Sequence, residues 1–225
     1  MELKVIAKIH NGFHEKFGIP RQSGLVPELT SVIVFEEEFR NDDALKGIDG
    51  YSHLWLLWGF SQVEKTDWRP TVRPPRLGGN TRMGVFATRS PYRPNNIGLS
   101  SVVLSGIEKS PQYGTLLKVK GADLMDGTPI YDIKPYIAYT DAHPDAVSGF
   151  ADNFVGYRLK VCFPEHLLSR AEPEDQRTLF QILEQDPRPA YQDDEARIYK
   201  MDFGPYQLSF SVSGDTLTVT DLQKS

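Results

Sequence analysis

The sequence predicts a mainly β protein: an all-β unit, closed as a barrel or packed as a sandwich, followed by a small α+β unit. Three observations carry this. Short alternating or apolar runs recur up to about residue 139, with glycines and prolines marking the turns between them. Helical periodicity is nearly absent from that stretch. The character then changes at Thr140-Asp-Ala-His-Pro-Asp-Ala-Val-Ser-Gly149, a polar segment holding Pro144 and Gly149. Units at 1–140 and 155–225, joined by a linker at 141–154, are the expected division.

Taken in order, residues 3–10 alternate, as a half-buried strand does. Residues 31–35 are β-branched and apolar. His53-Leu-Trp-Leu-Leu-Trp-Gly-Phe60 is a continuous apolar run, which predicts a strand buried on both faces. Residues 84–88, 97–104, 114–121 and 130–139 complete the first unit, with one short helix expected at 42–46. In the second unit, 157–163 alternates. Residues 173–185 predict a helix: Pro173 and the following acids suit a first turn, Leu179, Ile182 and Leu183 form an apolar stripe, and Pro187 stops it. Residues 197–203, 206–212 and 217–220 read as a meander whose last turn is Ser213-Gly-Asp-Thr216.

At 225 residues, 40% hydrophobic and 24% charged, the chain is long enough for a substantial core. Cys162 is the one cysteine, so no intrachain disulfide forms and a reducing compartment is expected. No apolar run approaches ~18 residues, so no membrane helix is expected. The N-terminus lacks the features of a secretion signal. These readings together predict a soluble, cytoplasmic protein.

The net charge of −5 hides an asymmetry. Residues 65–93 contain Lys65, Arg69, Arg73, Arg76, Arg82, Arg89 and Arg93 against the single acid Asp67. Trp68 and Tyr92 are interleaved with them. Basic groups neutralise phosphates while aromatics stack on unpaired bases, the combination that single-stranded nucleic acid requires. The end of this segment, Gly84-Val-Phe-Ala-Thr-Arg-Ser-Pro-Tyr-Arg-Pro-Asn-Asn-Ile-Gly98, is the richest part of the chain. Its prolines limit backbone freedom before any ligand arrives. Its arginines offer planar forks, and its asparagines can both donate and accept. A rigid turn with solvated arginines is the competing account.

Several chemistries are excluded. There is no dinucleotide-binding glycine motif, no phosphate-binding loop and no Gly-x-Ser-x-Gly elbow. His10, His14, His53, His143 and His166 are scattered, and Gly12 between the first two argues against a helical metal pair, so no metal is expected. Asp123, Asp126 and Asp132 do not have calcium-loop spacing. Asp126-Gly127 predicts a turn, and Asp126 with Thr128 could suit a polar ligand.

Read together, Gly18-Ile-Pro-Arg-Gln22, Tyr51-Ser-His-Leu-Trp55, Arg73-Pro-Pro-Arg-Leu-Gly78, the block from Gly84 to Asn95, Asp123-Leu-Met-Asp-Gly-Thr-Pro129 and Asp132-Ile-Lys-Pro-Tyr136 resemble the TsaA-like, TrmO-type tRNA methyltransferases. The resemblance spans roughly residues 1–140. Asp186-Pro-Arg-Pro-Ala-Tyr191 is similar to the C-terminal extension of bacterial members. The resemblance implies a small non-Rossmann β-barrel that binds S-adenosylmethionine, works as a homodimer, and methylates N6 of threonylcarbamoyladenosine at tRNA position 37, beside the anticodon. It implies cofactor contacts from Pro20, Arg21, Gln22, Ser61, Gln62, Arg89, Leu99, Asp126, Gly127, Thr128 and Pro129. Many members carry His where this chain has Ser61-Gln62. The tRNA contacts expected from the basic segment are Arg69, Arg73, Arg76, Arg82, Tyr92 and Arg93.

The chemistry adds one requirement. The target nitrogen is ureido-like and a poor nucleophile, so its proton must leave as it attacks, which asks for a base. Asp126 is the candidate, with a cofactor-holding role as the alternative. Two other functions fit the same residues: an RNA-binding module without catalysis, and a methyltransferase acting on something other than tRNA. The first would not need Arg21, Gln22 and the Asp126 turn. The second would not need the basic segment.

Overall fold

In the computed structural model, residues 2–63, 68–78, 80–188 and 194–224 are described. Lys65 and Asp67, and residues 189–191 of the C-terminal motif, lie outside them. Six strands form a closed barrel: β1 (Ala7–His10), β2 (Thr30–Phe35), β3 (His53–Gly59), β6 (Ile97–Ser110), β7 (Gly114–Lys120) and β8 (Pro129–Pro135). The ring order is β1-β2-β7-β6-β3-β8, and all neighbours are antiparallel. Closure gives each of the six a partner on both sides, with β6 pairing β3 along its first half and β7 along its second. A separate two-stranded ribbon, β4 (Thr71–Val72) with β5 (Met83–Gly84), rises from the β3–β6 connection.

The register decides where the functional residues gather. His10 at the end of β1 pairs near the start of β2, and Thr30 there pairs with Lys120 at the end of β7. Gly59 at the end of β3 pairs with Ile97 at the start of β6, and Trp58 with Ile130 at the start of β8. Three long connections, 11–29, 60–96 and 121–128, therefore leave the same rim. They also lock together: Gly24 N–H donates to the Gly121 carbonyl (2.8 Å), and Gly121 N–H to that of Leu29 (2.9 Å). Every expected site residue lies on one of these connections or at the adjoining strand ends.

Three local expectations change. β3 is not buried on both faces. Leu54, Leu56 and Trp58 point into the barrel, while His53, Trp55 and Leu57 are half-exposed on the outside. The outer aromatics are covered by later chain: Trp55 Nε1 donates to Asp141 (2.8 Å) and its ring lies 5.4 Å from that of Tyr136. Residues 85–87 form a 3-10 turn instead of a strand, because Thr88 N–H turns back to the Val85 carbonyl. Asp42–Leu45 is likewise 3-10, with Asn41 capping Asp43 N–H.

α1 (Ala138–Asp141) ends at the first residue of the segment expected as a linker, 141–154, which itself contains a 3-10 stretch, Gly149–Phe154. Beyond it come β9 (Lys160–Cys162), shorter than the expected 157–163, then α2 (Glu165–Leu168) and α3 (Pro173–Glu184). The strands β10 (Tyr199–Phe203), β11 (Tyr206–Ser213) and β12 (Thr216–Lys224) form the meander, and β9 adds to β12 in parallel.

There are two cores. One fills the barrel with Ile9, Ile33, Leu54, Leu56, Leu117 and Ile130. The other lies between α3 and the C-terminal sheet, yet Phe13, Val26 and Leu29 from the β1–β2 connection are buried in it. Phe13 meets Phe203 edge-on, with centroids 5.0 Å apart. Gly18 explains the start of its motif: its φ is +92°, and a Cβ there would lie 2.4 Å from Met201 Sδ. The C-terminal unit thus grips the apolar side of a loop whose Arg21 and Gln22 are part-exposed.

Candidate functional site

The rim opens into a cleft of about 1610 Å³. Its walls include Arg21 and Gln22 from the β1–β2 connection, Arg69, Arg73, Arg76, Arg82, Arg89 and Tyr92 from the β3–β6 connection, and Phe150 and Phe154 from the 3-10 stretch before β9. Arg21 and Gln22, called for the cofactor, therefore meet five arginines of the basic segment and Tyr92 in one cavity, while Pro20 is buried and not part of its wall. Arg89 Nη1 donates to Gln22 Oε1, joining the two connections across its floor. The cleft arginines have no ion pair to a described acid. Burial, reinforced by the neighbouring Arg21 charge, pulls the Arg76 guanidinium below its ordinary pKa. Arg76 lies over the Phe154 ring (5.1 Å) and Arg69 over Tyr92 (6.0 Å). A cavity lined this way, with so little negative charge, favours an anionic and planar ligand.

Arg93 has another role. Its Nη1 donates to the carbonyls of Val85 (3.1 Å) and Thr88 (2.7 Å), so it braces the turn and does not line the cleft. Arg21 Nη2 reaches the C-terminal unit, donating to the carbonyls of Arg188 (3.0 Å) and Asp186 (3.4 Å). Asp186 is held in the left-handed region (φ 53°) at the end of α3. Its carboxylate accepts from Arg188 (2.8 Å and 3.0 Å) and from the Tyr157 hydroxyl (3.1 Å). Burial raises its pKa, but Arg188 and Tyr157 outweigh this and hold it below the ordinary value. The first residues of the C-terminal motif therefore form a fixed turn that presents carbonyls to Arg21.

The remaining expected cofactor residues sit at the same rim but outside the cleft wall. Ser61 and Gln62 follow β3 and are exposed, and the Gln62 carbonyl accepts from Lys16 (3.2 Å). Leu99 faces outward on β6. The Asp126-Gly-Thr-Pro129 turn is tied to β1: Gly127 N–H donates to the Ile9 carbonyl and Asp126 N–H to that of Phe13, both at 2.8 Å. Asp126 Oδ1 accepts from Asn11 N–H and lies 3.1 Å from His10 Nδ1, while its Oδ2 is 3.6 Å from His14 Nδ1. Among the described residues, no group of three or more His, Cys, Asp or Glu is placed to hold a metal.

Sequence reasoning missed a buried relay beneath the Gln22–Arg89 contact. Trp58 Nε1 donates to Ser100 Oγ (2.9 Å), and Ser100 donates to Asp123 Oδ1 (2.5 Å). Burial pushes the Asp123 carboxyl above the ordinary aspartate value, although Ser100, the Ser23 backbone amide and Arg89 favour its ionised form. The available signal was Ser100, a polar residue at an inward position of an alternating strand, which demands a partner. A carboxyl whose folded pKa is raised is most compatible with the fold at low pH, and loses stability as pH rises through that pKa. Asp123→Asn is therefore expected to gain melting temperature relative to the native chain as pH rises above the ordinary aspartate value, tested by paired thermal melts across pH. A difference independent of pH would show that the carboxyl ionises without penalty.

The family model described as tRNA-methyltransferase O N-terminal domain matches residues 8–142, and that of the TrmO C-terminal domain matches 157–225. The chain belongs to the TrmO family. The tRNA (adenine(37)-N6)-methyltransferase of Escherichia coli is 42% identical over 200 residues, covering 86% of this chain and 85% of the relative. The enzyme of the same name from Eikenella corrodens is 47% identical over 163 residues, covering 72% and 91%. A crystal structure of TrmO from Pseudomonas aeruginosa superposes with a TM-score of 0.80 at 34% identity, covering 100% of this chain and 97% of that one. The match to the TrmO C-terminal domain includes the residues that supply most of the second core. No helix among the described residues is long and apolar enough to cross a membrane.

Proposed function

We propose that the protein is an S-adenosylmethionine-dependent tRNA methyltransferase that converts N6-threonylcarbamoyladenosine at position 37 into its N6-methyl derivative. The observation that carries the reading is the convergence of Arg21, Gln22 and Arg89 with Arg69, Arg73, Arg76 and Arg82 in one cleft. The TrmO relatives of matching name support the same activity.

The rim residues fit an amino-acid-bearing nucleoside by their chemistry. Arg89 and Arg21 can grip a carboxylate. Gln22 offers an amide, the 126–129 turn offers backbone and hydroxyl groups, and exposed Leu99 offers an apolar face. When bound, S-adenosylmethionine supplies an electrophilic methyl group on a sulfonium. The protein's own contribution is positioning, which accounts for most of the barrier reduction in such transfers. The cleft holds the target base in line, and the arginines fix the threonyl carboxylate. Asp126 is assigned the role of accepting the N6 proton, which requires the target adenosine to extend from the cleft along the rim to the 126–129 turn, where His10 Nδ1 lies 3.1 Å from the Asp126 carboxylate. Mass spectrometry of tRNA nucleosides after incubation with protein and methyl donor tests the whole reading. Persistence of unmethylated threonylcarbamoyladenosine would end it.

The functional unit is proposed to be a homodimer located, by its expected role, in the cytoplasm. The outer face of β6 supports this, with Leu99, Val103 and Ile107 exposed in one row that runs from the rim toward the β6–β7 hairpin. A light-scattering mass of one chain under active conditions would rule the dimer out. The basic wall is proposed to recruit tRNA. Arg69→Ala with Arg73→Ala is expected to weaken tRNA binding and to lower its salt dependence by roughly 0.7 in log–log slope for each lost phosphate contact, while calorimetric binding of the methyl donor is unchanged. Equal loss of both ligands would give these arginines a structural role.

A further inference from the structure

Phe86 belongs to neither the expected cofactor set nor the expected RNA set, yet it is 71% exposed on the cleft wall. Such exposure of a phenylalanine is ordinary when it is isolated. Here it is not isolated. Trp68, 49% exposed, stacks beside it with centroids 6.3 Å apart and planes 22° apart. The β4–β5 ribbon sets this geometry: Thr71 pairs with Gly84, and Val85 N–H donates to the Pro70 carbonyl, so the residues flanking the ribbon emerge side by side. Tyr92, also exposed, lies under Arg69 on the same wall.

The turn that carries the ring is also braced. Val85 is buried, and Arg93 ties the carbonyls on either side of the turn while its guanidinium lies 5.7 Å from the Phe86 centroid. A flat apolar ring on a braced turn, surrounded by arginines that make no ion pair to a described acid, matches a base whose face is free and whose backbone is anionic. Pre-ordering lowers the entropy lost on binding. A base-paired duplex hides its base faces within the stack, so its phosphates would use the arginines and leave Phe86 idle.

We propose that Phe86, buttressed by Trp68 and Arg93, is a stacking platform for an unpaired nucleobase of the bound RNA, adjacent to the base that enters the site. The proposal rests on the tRNA reading above, and it adds a base-contacting residue to the phosphate-contacting arginines.

The test uses the full chain without methyl donor and an RNA stem-loop carrying 2-aminopurine at one loop position, read by fluorescence. The native chain is expected to bind and change the probe's emission. Phe86→Ala is expected to weaken binding about tenfold and to abolish the emission change, and Phe86→Tyr to restore both. A fully paired RNA of the same length should bind Phe86→Ala and the native chain alike. Melting temperatures of both variants should match the native value, since Phe86 is exposed. Native affinity of Phe86→Ala for the loop would overturn the platform, as would equal loss on loop and duplex. Unchanged RNA affinity with weakened methyl-donor binding, or with an altered protomer mass, would place the cofactor's adenine or a second copy on Phe86 and also overturn it. Failure of the native chain to bind the loop at all would remove the tRNA reading itself, an outcome separate from failure of the platform alone.

Discussion

Replacing Arg89 by lysine is expected to lower kcat/KM for methyl transfer by well over tenfold, more than ~1.4 kcal/mol of transition-state stabilisation, with the melting temperature nearly unchanged. Arg89 stands just past the 85–87 turn, and its Nη1 donates to Gln22 while the Asp123 carboxyl lies beneath. One arm of the guanidinium thus binds the protein and leaves other donors for the ligand. Lysine keeps the charge but is a point donor without a fork, so it can hold Gln22 or the ligand with poorer geometry for both. The side chain is exposed and buries little apolar surface, so folding should barely register the change. Steady-state kinetics with thermal melts decide the matter. Near-normal turnover in Arg89→Lys would move the carboxylate-gripping role to Arg21, the cleft arginine next to Gln22.

Phe13→Ala should cost about 3–5 kcal/mol of folding stability, the range for truncating a fully buried phenylalanine. The informative part is where that cost is felt. Phe13 sits in the barrel's connecting loop but packs on Phe203 in the C-terminal sheet. The same loop carries Asn11, whose side chain caps Phe13 N–H (2.9 Å) and donates to the Leu124 carbonyl (2.9 Å). Loss of the ring should therefore loosen the 126–129 turn and weaken methyl-donor binding even where the chain remains folded. Denaturant titration and calorimetry at low denaturant would check both. Lost stability with full donor affinity would show that the loop holds its shape without its anchor.

Much of this architecture was legible beforehand for physical reasons. Alternation in β1, β2 and β10–β12 directly encodes which side chains face a core, and Pro173 with the Leu179–Leu183 stripe encodes α3. The apolar run in β3 misled because its outer residues Trp55 and Leu57 are covered by other chain, so hydropathy exceeded what one buried face requires. The strand expected at 84–88 failed because Val85 and Phe86 have high β propensity, while Arg93, eight residues from Val85, supplies the bonds that curl the turn. The site divided along the same line. The arginine segment announced itself by residue type, and Arg21 and Gln22 through the family resemblance. Asp123 with Ser100, and Phe154 under Arg76, depend on pairings across more than 20 residues that local pattern does not contain.

The barrel also has an opposite end, and its contents are plain by comparison. The β6–β7 hairpin turns there through Pro111, Gln112 and Tyr113, where Tyr113 rests near Arg40. Strand polarity thus puts the ligand-facing connections at one end of the barrel and this hairpin at the other. A fluorophore, surface tether or inserted peptide at the Gln112 turn would stand a full strand length from the ligand-facing loops. The fold thereby supplies an attachment point at which the protein can be immobilised or tracked while its working face stays open to a partner as large as a folded RNA.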